Sequence, residues 1–432
     1  SSDLAPRAIR GFHGSISRLC RSRKSVRSSG TGGVMARKTA IAGRLAQVSE
    51  GALSKFGKWL AGTFRNQSRE FNQLLSITVI LVIFGSMMVL SASYVDALKA
   101  GNSAYSIFGK QLLAAVAGLF GMGLISRFPL IALKNLTRPF FLSALALQVA
   151  VLLIGTAVNG NKNWISVLGL FSLQPSEFLK LAMIMNIALF LTRRDHELTD
   201  PTRTWWPAFG NGIIAMIAVI AGSDLGTVIV MFLIVMVQLA IAGMPRRLVG
   251  FVAGLAVVAI PVAINMSASR RARVLAWLNP SAPDPLDVNW QAKHGIWALA
   301  AGGVSGTGFG DSKMKWSWIP EVENDFIFAI IGEEFGLIGA AVVIALFIML
   351  GFVLVKITLK TQSNYERYIL IGIMAWIVLQ ALVNIAVVLN FLPVLGVPLP
   401  LISSGGSSLL STLAAIGVAL GIERRNSHQP LA

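Results

Sequence analysis

Ten apolar segments, each close to the length that crosses a lipid bilayer, dominate the sequence after residue 72. A helix needs roughly 20 apolar residues to span the hydrocarbon core. The segments lie at 73–95, 107–126, 139–158, 176–192, 207–223, 226–243, 248–266, 327–355, 368–390 and 404–422. Only 13% of the 432 residues are charged, against about 25% in soluble domains. The pattern predicts an all-α polytopic membrane protein with about ten transmembrane helices.

The short loops differ in charge, which predicts the orientation of the helices. Loops after the second, fourth, sixth, eighth and tenth segments are rich in Arg and Lys, whereas the opposite short loops hold only Lys99 and Lys162. Lys and Arg concentrate in cytoplasmic loops. We therefore expect both termini to lie in the cytoplasm.

Composition divides the chain into three parts. Residues 1–72 form a basic tail, with fourteen Lys or Arg and three acids in its first 70 residues. We expect this cytoplasmic tail to be disordered and then, over 41–66, to form an amphipathic helix on the inner leaflet or a weak solvated helix. Residues 73–425 form the ten-helix membrane domain, and residues 426–432 form a short cytoplasmic tail.

Charge and cysteine content argue against several other classes of protein. The net charge of +18 comes largely from the basic tail and the short loops, so we expect no nucleic-acid partner. A single cysteine permits no intrachain disulfide, and the four histidines lack the spacing of metal ligands. We expect no structural metal site.

The connection between the seventh and eighth segments, residues 267–325, is long, and the charge pattern places it outside the cytoplasm. Long loops are uncommon unless they are functional. This loop carries Arg270, Arg271 and Arg273, a glycine-rich run over 301–310, and five tryptophans. Tryptophans are typical of a membrane interface. The arginines either hold a phosphate group or pair with lipid headgroups.

The loop ends on three carboxylates directly before the eighth apolar segment. Glu321, Glu323 and Asp325 fall within five residues. A carboxylate at the mouth of a membrane helix is costly to desolvate, so it is retained for capping or for chemistry. Asp325 is either the N-cap of a helix that begins at Phe326 or an acid–base group.

Further charged residues lie within or beside the apolar segments. They are Lys110, Glu177, Lys180, Asp224, Glu333 and Glu334. Such residues usually face a cavity or pair with one another. Glu177 and Lys180 share a helix face and have the spacing of an orienting ion pair, and Asp224 is placed to cap the sixth segment. With Asp325, these charges indicate a polar cavity that opens towards the outer leaflet.

Five ordered blocks of sequence together resemble one known family. They are Asn163-Trp164-Ile165 with Gln174-Pro175-Ser176-Glu177-Phe178-Leu179-Lys180; Asp224-Leu225-Gly226-Thr227; Arg270 and Arg273 with Gln291; Pro320-Glu321, Asp325-Phe326-Ile327-Phe328-Ala329 and Gly332-Glu333-Glu334; and segment 392–408. Over about 73–425 the chain is similar to the SEDS family (shape, elongation, division, sporulation). It is closer to the division branch than to the elongation branch.

The resemblance implies a peptidoglycan glycosyltransferase of a bacterial cytoplasmic (inner) membrane. Such an enzyme polymerises lipid II, an undecaprenyl-pyrophosphate-linked disaccharide peptide, at the outer face of the membrane during septal cell-wall synthesis. The resemblance also implies that Asp325 is the essential loop acid and that Trp164 lines the cavity. The implied partners are a cognate class B penicillin-binding protein and other division proteins.

The implied reaction joins a sugar hydroxyl to an anomeric carbon that carries a lipid pyrophosphate. The nucleophile is a neutral hydroxyl, so a carboxylate base within hydrogen-bond reach assists it, and we assign this role to Asp325. The leaving pyrophosphate needs positive charge, which we assign to Arg270 and Arg273, with Lys180 as a further candidate. No cofactor is expected for certain; a divalent cation is an alternative source of this charge.

The remaining candidates for substrate binding come from the matching blocks. They are Trp164, Glu177, Asp224, Gln291, Glu321, Ser403 and Ser407. The chain departs from the pattern of the family at Lys162-Asn163, Gly222-Ser223, Glu323-Asn324 and Ser404. These departures leave the proposed base intact.

Two other functions stay open on the sequence. A flippase of the lipid-linked precursor would use the intramembrane charges for alternating access, although the two halves of the chain show no repeat. A non-enzymatic scaffold that activates a transpeptidase would tolerate replacement of Asp325.

Overall fold

The computed structural model describes residues 67–99, 105–158, 161–167, 171–194, 201–279, 289–316 and 318–427. The predicted tail over 1–66 and its amphipathic helix lie outside these residues, so the predicted domain division stays a prediction. The helices are α1 (Arg69–Lys99), α2 (Ser106–Ile125), α3 (Leu130–Ile154), α4 (Pro175–Arg193), α5 (Trp206–Ile220), α6 (Leu225–Ile241), α7 (Arg246–Asn265), α8 (Ala268–Leu278), α9 (Trp290–Gly302), α10 (Ile327–Lys360), α11 (Asn364–Val388) and α12 (Gly406–Asn426). A π-helical turn, Pro201–Trp205, precedes α5.

Each predicted apolar segment coincides with a helix, and α8 and α9 lie in the long loop. Within the described residues, eight helices (α1–α4, α7 and α10–α12) have the length and composition to cross a membrane. Helices α5 and α6 are shorter, with 15 and 17 residues. The prediction of a polytopic helical membrane protein is confirmed. Helix α3 begins at Leu130 rather than at residue 139, because Pro139 is accommodated inside it.

A small antiparallel sheet, which the sequence did not predict, separates α3 from α4. Its strands are β1 (Thr156–Val158), β2 (Asn161–Val167) and β3 (Phe171–Leu173), in the order β1-β2-β3. Trp164 pairs with Thr156 in the first ladder, and Ile165 pairs with Leu173 in the second. The sheet therefore ends the predicted third helix early and places Trp164 at the end of the bundle where α4 begins. We call this end of the bundle the site end.

Helices α4, α11 and α12 form the centre of the bundle, and most of their residues are buried. A Cβ atom at Gly372 of α11 would lie 2.4 Å from a methyl group of Ile184 on α4, so the two helices approach closely at this glycine. Helix α7 lies at the periphery, where Val252 is its one buried residue.

Helix α10 is broken at Gly336, and the glycine-rich run fills the break. Gly336 has φ +65°, and a Cβ atom there would lie 2.4 Å from the Gly306 nitrogen and 2.5 Å from the Val304 carbonyl oxygen. Backbone hydrogen bonds cross between the two segments from the N–H groups of Thr307, Gly308, Leu337 and Ile338. These bonds satisfy polar groups that the break frees from the helical ladder.

Replacement of Gly336 by alanine should lower the melting temperature in detergent. The backbone angles of Gly336, φ +65° and ψ −163°, lie in a region that is essentially restricted to glycine and cost another residue about 1–3 kcal/mol, and the added methyl group would collide with two backbone atoms. The matched control is Gly254→Ala on α7, where a Cβ atom would meet nothing within 4 Å. Equal melting temperatures for the two variants would contradict this account of the break.

Candidate functional site

Asp325 ends a turn directly before α10 and is half-buried. The N-cap position of α10 is Phe326, and no side chain of the described residues caps the helix. The alternative in which Asp325 caps this helix is therefore wrong. The carboxylate instead lies beside Gly396, where a Cβ atom would be 3.5 Å from Asp325 Oδ2.

The surroundings of Asp325 hold its carboxyl near the protonation midpoint at neutral pH. The pKa of Asp325 is raised from 3.8 to about 7, and desolvation by burial is the largest cause of this rise. Repulsion from Glu321, Asp224 and Glu323 contributes to the rise of this pKa, whereas attraction to Arg273 opposes it. A carboxylate with such a pKa is matched to proton transfer at neutral pH.

Segment 392–405, here named the pre-α12 loop, is hydrogen-bonded to the turn that carries Asp325. The Ser403 hydroxyl donates to the Asn324 carbonyl oxygen at 2.5 Å and accepts from the Leu399 N–H at 2.8 Å. The Ser404 N–H donates to the Glu323 carbonyl oxygen at 2.8 Å. Ser403, which the sequence suggested as a substrate contact, thus already holds two backbone groups in place.

Two buried amides on α11 contact the same region. The Asn384 side chain donates to the carbonyl oxygens of Asp325, at 2.8 Å, and Val397, at 2.7 Å. Gln380 donates to the Pro398 carbonyl oxygen at 2.9 Å. Sequence reasoning missed both residues because, outside the blocks that match the family, it considered only charged groups in the apolar segments; amides one helical turn apart in an apolar segment were the available signal.

Lys180 and Glu177 form a buried ion pair below this region, with Nζ 2.9 Å from Glu177 Oε1. The Lys180 ammonium also donates to Gln380 Oε1 at 2.8 Å and lies 4.8 Å from the centroid of the Trp376 ring. Ser411 donates to the second Glu177 oxygen at 3.3 Å. The predicted ion pair is present, and protein partners surround the Lys180 ammonium.

Asp224 caps α6, as its position before the sixth segment suggested. Its carboxylate accepts from the Thr227 N–H at 2.9 Å and hydroxyl at 2.8 Å, and from Gln174 Nε2 at 3.2 Å. Burial raises its pKa, the Thr227 hydrogen bonds oppose that rise, and Glu177 adds repulsion. Asp224 therefore lies within electrostatic range of both the buried ion pair and Asp325.

Ser407 and Trp164 lie at the junction of the sheet and the helices. The Ser407 hydroxyl accepts from the Gln174 N–H at 3.0 Å and donates to the Ser172 carbonyl oxygen at 3.2 Å. Trp164 is half-buried on β2, and its neighbour Asn163 is buried. Both predicted site residues are thus at the site end, held by local structure.

Contacts from α9 support the segment that leads into Asp325. Gln291 Nε2 donates to the Pro320 carbonyl oxygen at 3.0 Å, and Trp290 Nε1 donates to the Trp318 carbonyl oxygen at 2.5 Å. Glu321 is exposed, and its backbone has φ +49°. Gln291 thereby fixes the entry to the turn that Glu321 begins.

The two predicted pyrophosphate ligands have different surroundings. Arg270 donates to the carbonyl oxygens of Ala263, at 3.1 Å, and Ser223, at 2.9 Å, and so joins the end of α7 to the turn before α6. Arg273 has no hydrogen-bond partner among the described residues, and its charge acts on Asp325. Arg273 is therefore the better placed of the two to meet an anion beside Asp325.

Glu333 and Glu334 anchor the long loop. Glu333 accepts from the Ser312 hydroxyl at 2.5 Å and from the Lys313 N–H at 2.8 Å. Glu334 accepts from Ser91 at 2.5 Å and lies 3.4 Å from the ammonium of the buried Lys315. These carboxylates stabilise the loop and do not contact Asp325. Lys110, by contrast, is exposed.

Departures from the family pattern lie next to one another in pairs. Lys162 donates its backbone N–H to the Gly222 carbonyl oxygen, and a Cβ atom at Gly222 would collide with the Asn163 side chain. Ser404 is hydrogen-bonded to Glu323.

Among the described residues, no cluster of three or more His, Cys, Asp or Glu could hold a metal ion.

Comparison with known proteins now shows the family. The sequence profile shared by FtsW, RodA and SpoVE, described as cell cycle proteins, matches residues 72–428. The chain belongs to this family. The chain is 36% identical over 383 residues to the probable peptidoglycan glycosyltransferase FtsW of Mycobacterium tuberculosis, covering 88% of this chain and 71% of that protein. It is also 36% identical to stage V sporulation protein E of Bacillus subtilis, covering 82% and 97%.

Solved structures of the family share this fold. One, described as the structural coordination of polymerization and crosslinking by a peptidoglycan synthase complex, has a TM-score of 0.66 and 26% identity, covering 82% of this chain and 98% of the other. RodA of Thermus thermophilus has a TM-score of 0.62 and 24% identity, covering 85% and 99%. The latter likeness supports the fold alone.

The buried ion pair predicts a specific pattern of folding defects. Lys180→Met should lower folded yield sharply, because breaking a buried pair strands one charge at a cost of about 3–5 kcal/mol. The double variant Glu177→Gln, Lys180→Met removes both charges and should restore the yield. Size-exclusion chromatography in detergent measures both. Equal loss in the single and double variants would contradict a paired-charge role.

Proposed function

We propose that this protein is a peptidoglycan glycosyltransferase that polymerises lipid II into glycan strands during septal cell-wall synthesis, with Asp325 as its general base. The observation that carries the proposal is the Asp325 carboxyl, half-buried at the site end with a pKa of about 7 and within range of the Arg273 charge. Relatives named peptidoglycan glycosyltransferase FtsW support the activity.

The proposed chemistry is a single displacement at an anomeric carbon. The acceptor hydroxyl loses its proton to Asp325 while its oxygen forms a bond to the anomeric carbon. The bond from that carbon to the pyrophosphate oxygen breaks, and its electron pair leaves with the phosphate. Arg273 offsets the developing negative charge, and Arg270 holds the turn between α5 and α6 and supplies its remaining N–H groups.

The other substrate-binding assignments belong to the same proposal. Trp164, Gln291, Glu321 and Ser407 line or support the approach to Asp325, whereas Glu177, Lys180 and Asp224 set the polarity beneath it. A divalent cation remains an alternative source of positive charge for the leaving group.

The proposed partner is a cognate class B penicillin-binding protein, together with other division proteins at the septum. A solved relative comes from a peptidoglycan synthase complex that couples polymerization and crosslinking. Crosslinking acts on the glycan strands that lipid II polymerisation produces. The two enzymes therefore benefit from proximity.

Asp325→Asn should abolish polymerisation of lipid II by the purified full-length protein with its cognate transpeptidase. Loss of a general base typically lowers the rate about 10²–10⁴-fold. The folded-state pKa of Asp325 is raised, so its charge opposes folding above that pKa, and the neutral amide should leave the melting temperature at pH 8 unchanged or higher.

Asp325→Glu is the matched variant for this experiment, since it keeps the carboxyl and changes its reach. Partial activity is expected. Polymerisation by Asp325→Asn at the wild-type rate would overturn the assignment and direct attention to Glu321 and Glu323. If the wild type and Asp325→Asn both transport lipid II and neither makes polymer, the result would support a flippase. If Asp325→Asn stimulates the transpeptidase as strongly as the wild type does, the result would support a scaffold.

Both termini should lie in the cytoplasm and the site end should face the periplasm. In a Cys20→Ser background, a membrane-impermeant maleimide added outside should label Ser305→Cys and spare Ser427→Cys, because both positions are exposed and lie on opposite sides in this topology. Ser312, which lies in the same long loop, is buried and would not be accessible to the maleimide. Labelling of Ser427→Cys alone would invert the orientation.

A further inference from the structure

We propose that Asn384 on α11 is a positioning residue: its buried side-chain amide fixes the backbone of the loop acid and the surface against which that acid lies. The inference rests on the proposed function, because it concerns the geometry of Asp325 as a base. Asn384 itself does not reach the reacting atoms in this account.

The geometry of Asn384 joins two segments that are distant in sequence. Its exposed fraction is 1%, and its two N–H groups donate to the carbonyl oxygens of Asp325, at 2.8 Å, and Val397, at 2.7 Å. An asparagine amide has two N–H donors, so both are used. The opposite orientation of the amide would set its oxygen against two carbonyl oxygens, which excludes it.

The two acceptors lie on either side of the reacting group. The Asp325 carbonyl is attached to the Cα atom from which the carboxyl side chain projects, so a fixed carbonyl limits the directions that the side chain can take. Val397 follows Gly396, beside which Asp325 Oδ2 lies. Asn384 therefore sets the position of the acid and of its neighbouring wall together.

The Asn384 amide satisfies two carbonyl oxygens but leaves its own oxygen buried. Among the described residues, Asn384 Oδ1 is buried without a hydrogen-bond partner. Burying an unsatisfied acceptor is unfavourable, but an apolar side chain of similar shape would leave the carbonyl oxygens of Asp325 and Val397 without this donor. The position thus keeps a polar group whose two donors are spent on the loop acid and on the pre-α12 loop.

Gln238 on α6 provides a matched control within the same molecule. Its Nε2 donates to the carbonyl oxygens of Ile184, at 3.0 Å, and Tyr368, at 3.1 Å. It is fully buried, and its Oε1 also lacks a hydrogen-bond partner in the part of the chain that the structure describes. Like Asn384, Gln238 donates two side-chain hydrogen bonds to backbone carbonyl oxygens, here on α4 and α11. Neither acceptor belongs to the turn or loop around Asp325.

A change at Asn384 alters no charge around the acid. The charged groups that act most on Asp325 are Glu321 and Glu323 from its own turn, Arg273 from α8 and Asp224 from the turn before α6. Any shift in the pH dependence of an Asn384 variant therefore reports a changed position or hydration of the carboxyl. Greater hydration lowers its pKa, because burial is the largest cause of the rise.

The test compares Asn384→Leu with Gln238→Met in full-length protein with its transpeptidase. For Asn384→Leu we expect kcat to fall at least tenfold with little change in the KM for lipid II, and the acid limb of the pH–rate profile to move to lower pH. Gln238→Met should lower the melting temperature comparably and leave kcat and the acid limb unchanged. Asn384→Ser keeps one donor, so its kcat should lie between those of the wild type and Asn384→Leu. This variant replaces Asn384→Leu in the experiment if Asn384→Leu does not fold.

The outcomes separate this inference from the proposed function. Wild-type kcat and an unshifted acid limb in Asn384→Leu, with Asp325→Asn inactive, would overturn the positioning role alone. Equal changes in Gln238→Met and Asn384→Leu would also overturn it, since they would reflect general loosening of the bundle. Full activity of Asp325→Asn would instead overturn the proposed function.

Discussion

The hydrogen bonds between the turn 321–325 and its two neighbours, the pre-α12 loop and α11, are the interaction on which the site depends. Partial desolvation raises the pKa of a carboxyl towards neutral pH, and in this protein the desolvated carboxyl of Asp325 is carried by non-helical backbone before α10. Every carbonyl buried in such a segment needs a donor. Ser403, Ser404 and Asn384 supply these donors, so the same contacts that permit the burial also hold Asp325 in place.

The long loop is held to the bundle by a second set of contacts at the start of α10. Glycines over 302–310 let its backbone approach the break at Gly336, and Glu333 and Glu334 bind the following segment through Ser312, Lys313 and Lys315. The loop therefore stabilises the helix whose first residues follow Asp325. The carboxylates that lie close together in the sequence around the start of α10 therefore have two different roles. Glu333 and Glu334 anchor the long loop, whereas Asp325 belongs to the site.

The sequence predicted the membrane helices well, because the length and apolarity of a segment are local properties that a bilayer constrains strongly. It also predicted the Glu177–Lys180 ion pair, which the structure contains, since charges in apolar segments stand out; the role of Asp325 stays a prediction. It did not predict the strands around Trp164, which are too short to show alternation. It missed Asn384 because the importance of an uncharged amide is visible only from its acceptors, which lie at residues 325 and 397. It also did not predict the role of the glycine-rich run or the partners of Arg270, because these depend on contacts between segments that are distant in sequence.

The pH dependence of the polymerisation rate tests the central claim most directly. For the wild-type enzyme the account predicts an acid limb with a midpoint near 7, because the base must lose its proton to act. Glu321→Gln removes a repulsive charge and should move this midpoint to lower pH, whereas Arg273→Gln removes an attractive charge and should move it to higher pH. A rate that is flat between about pH 5 and 8, or a midpoint that neither substitution moves, would contradict the role of Asp325 as the base.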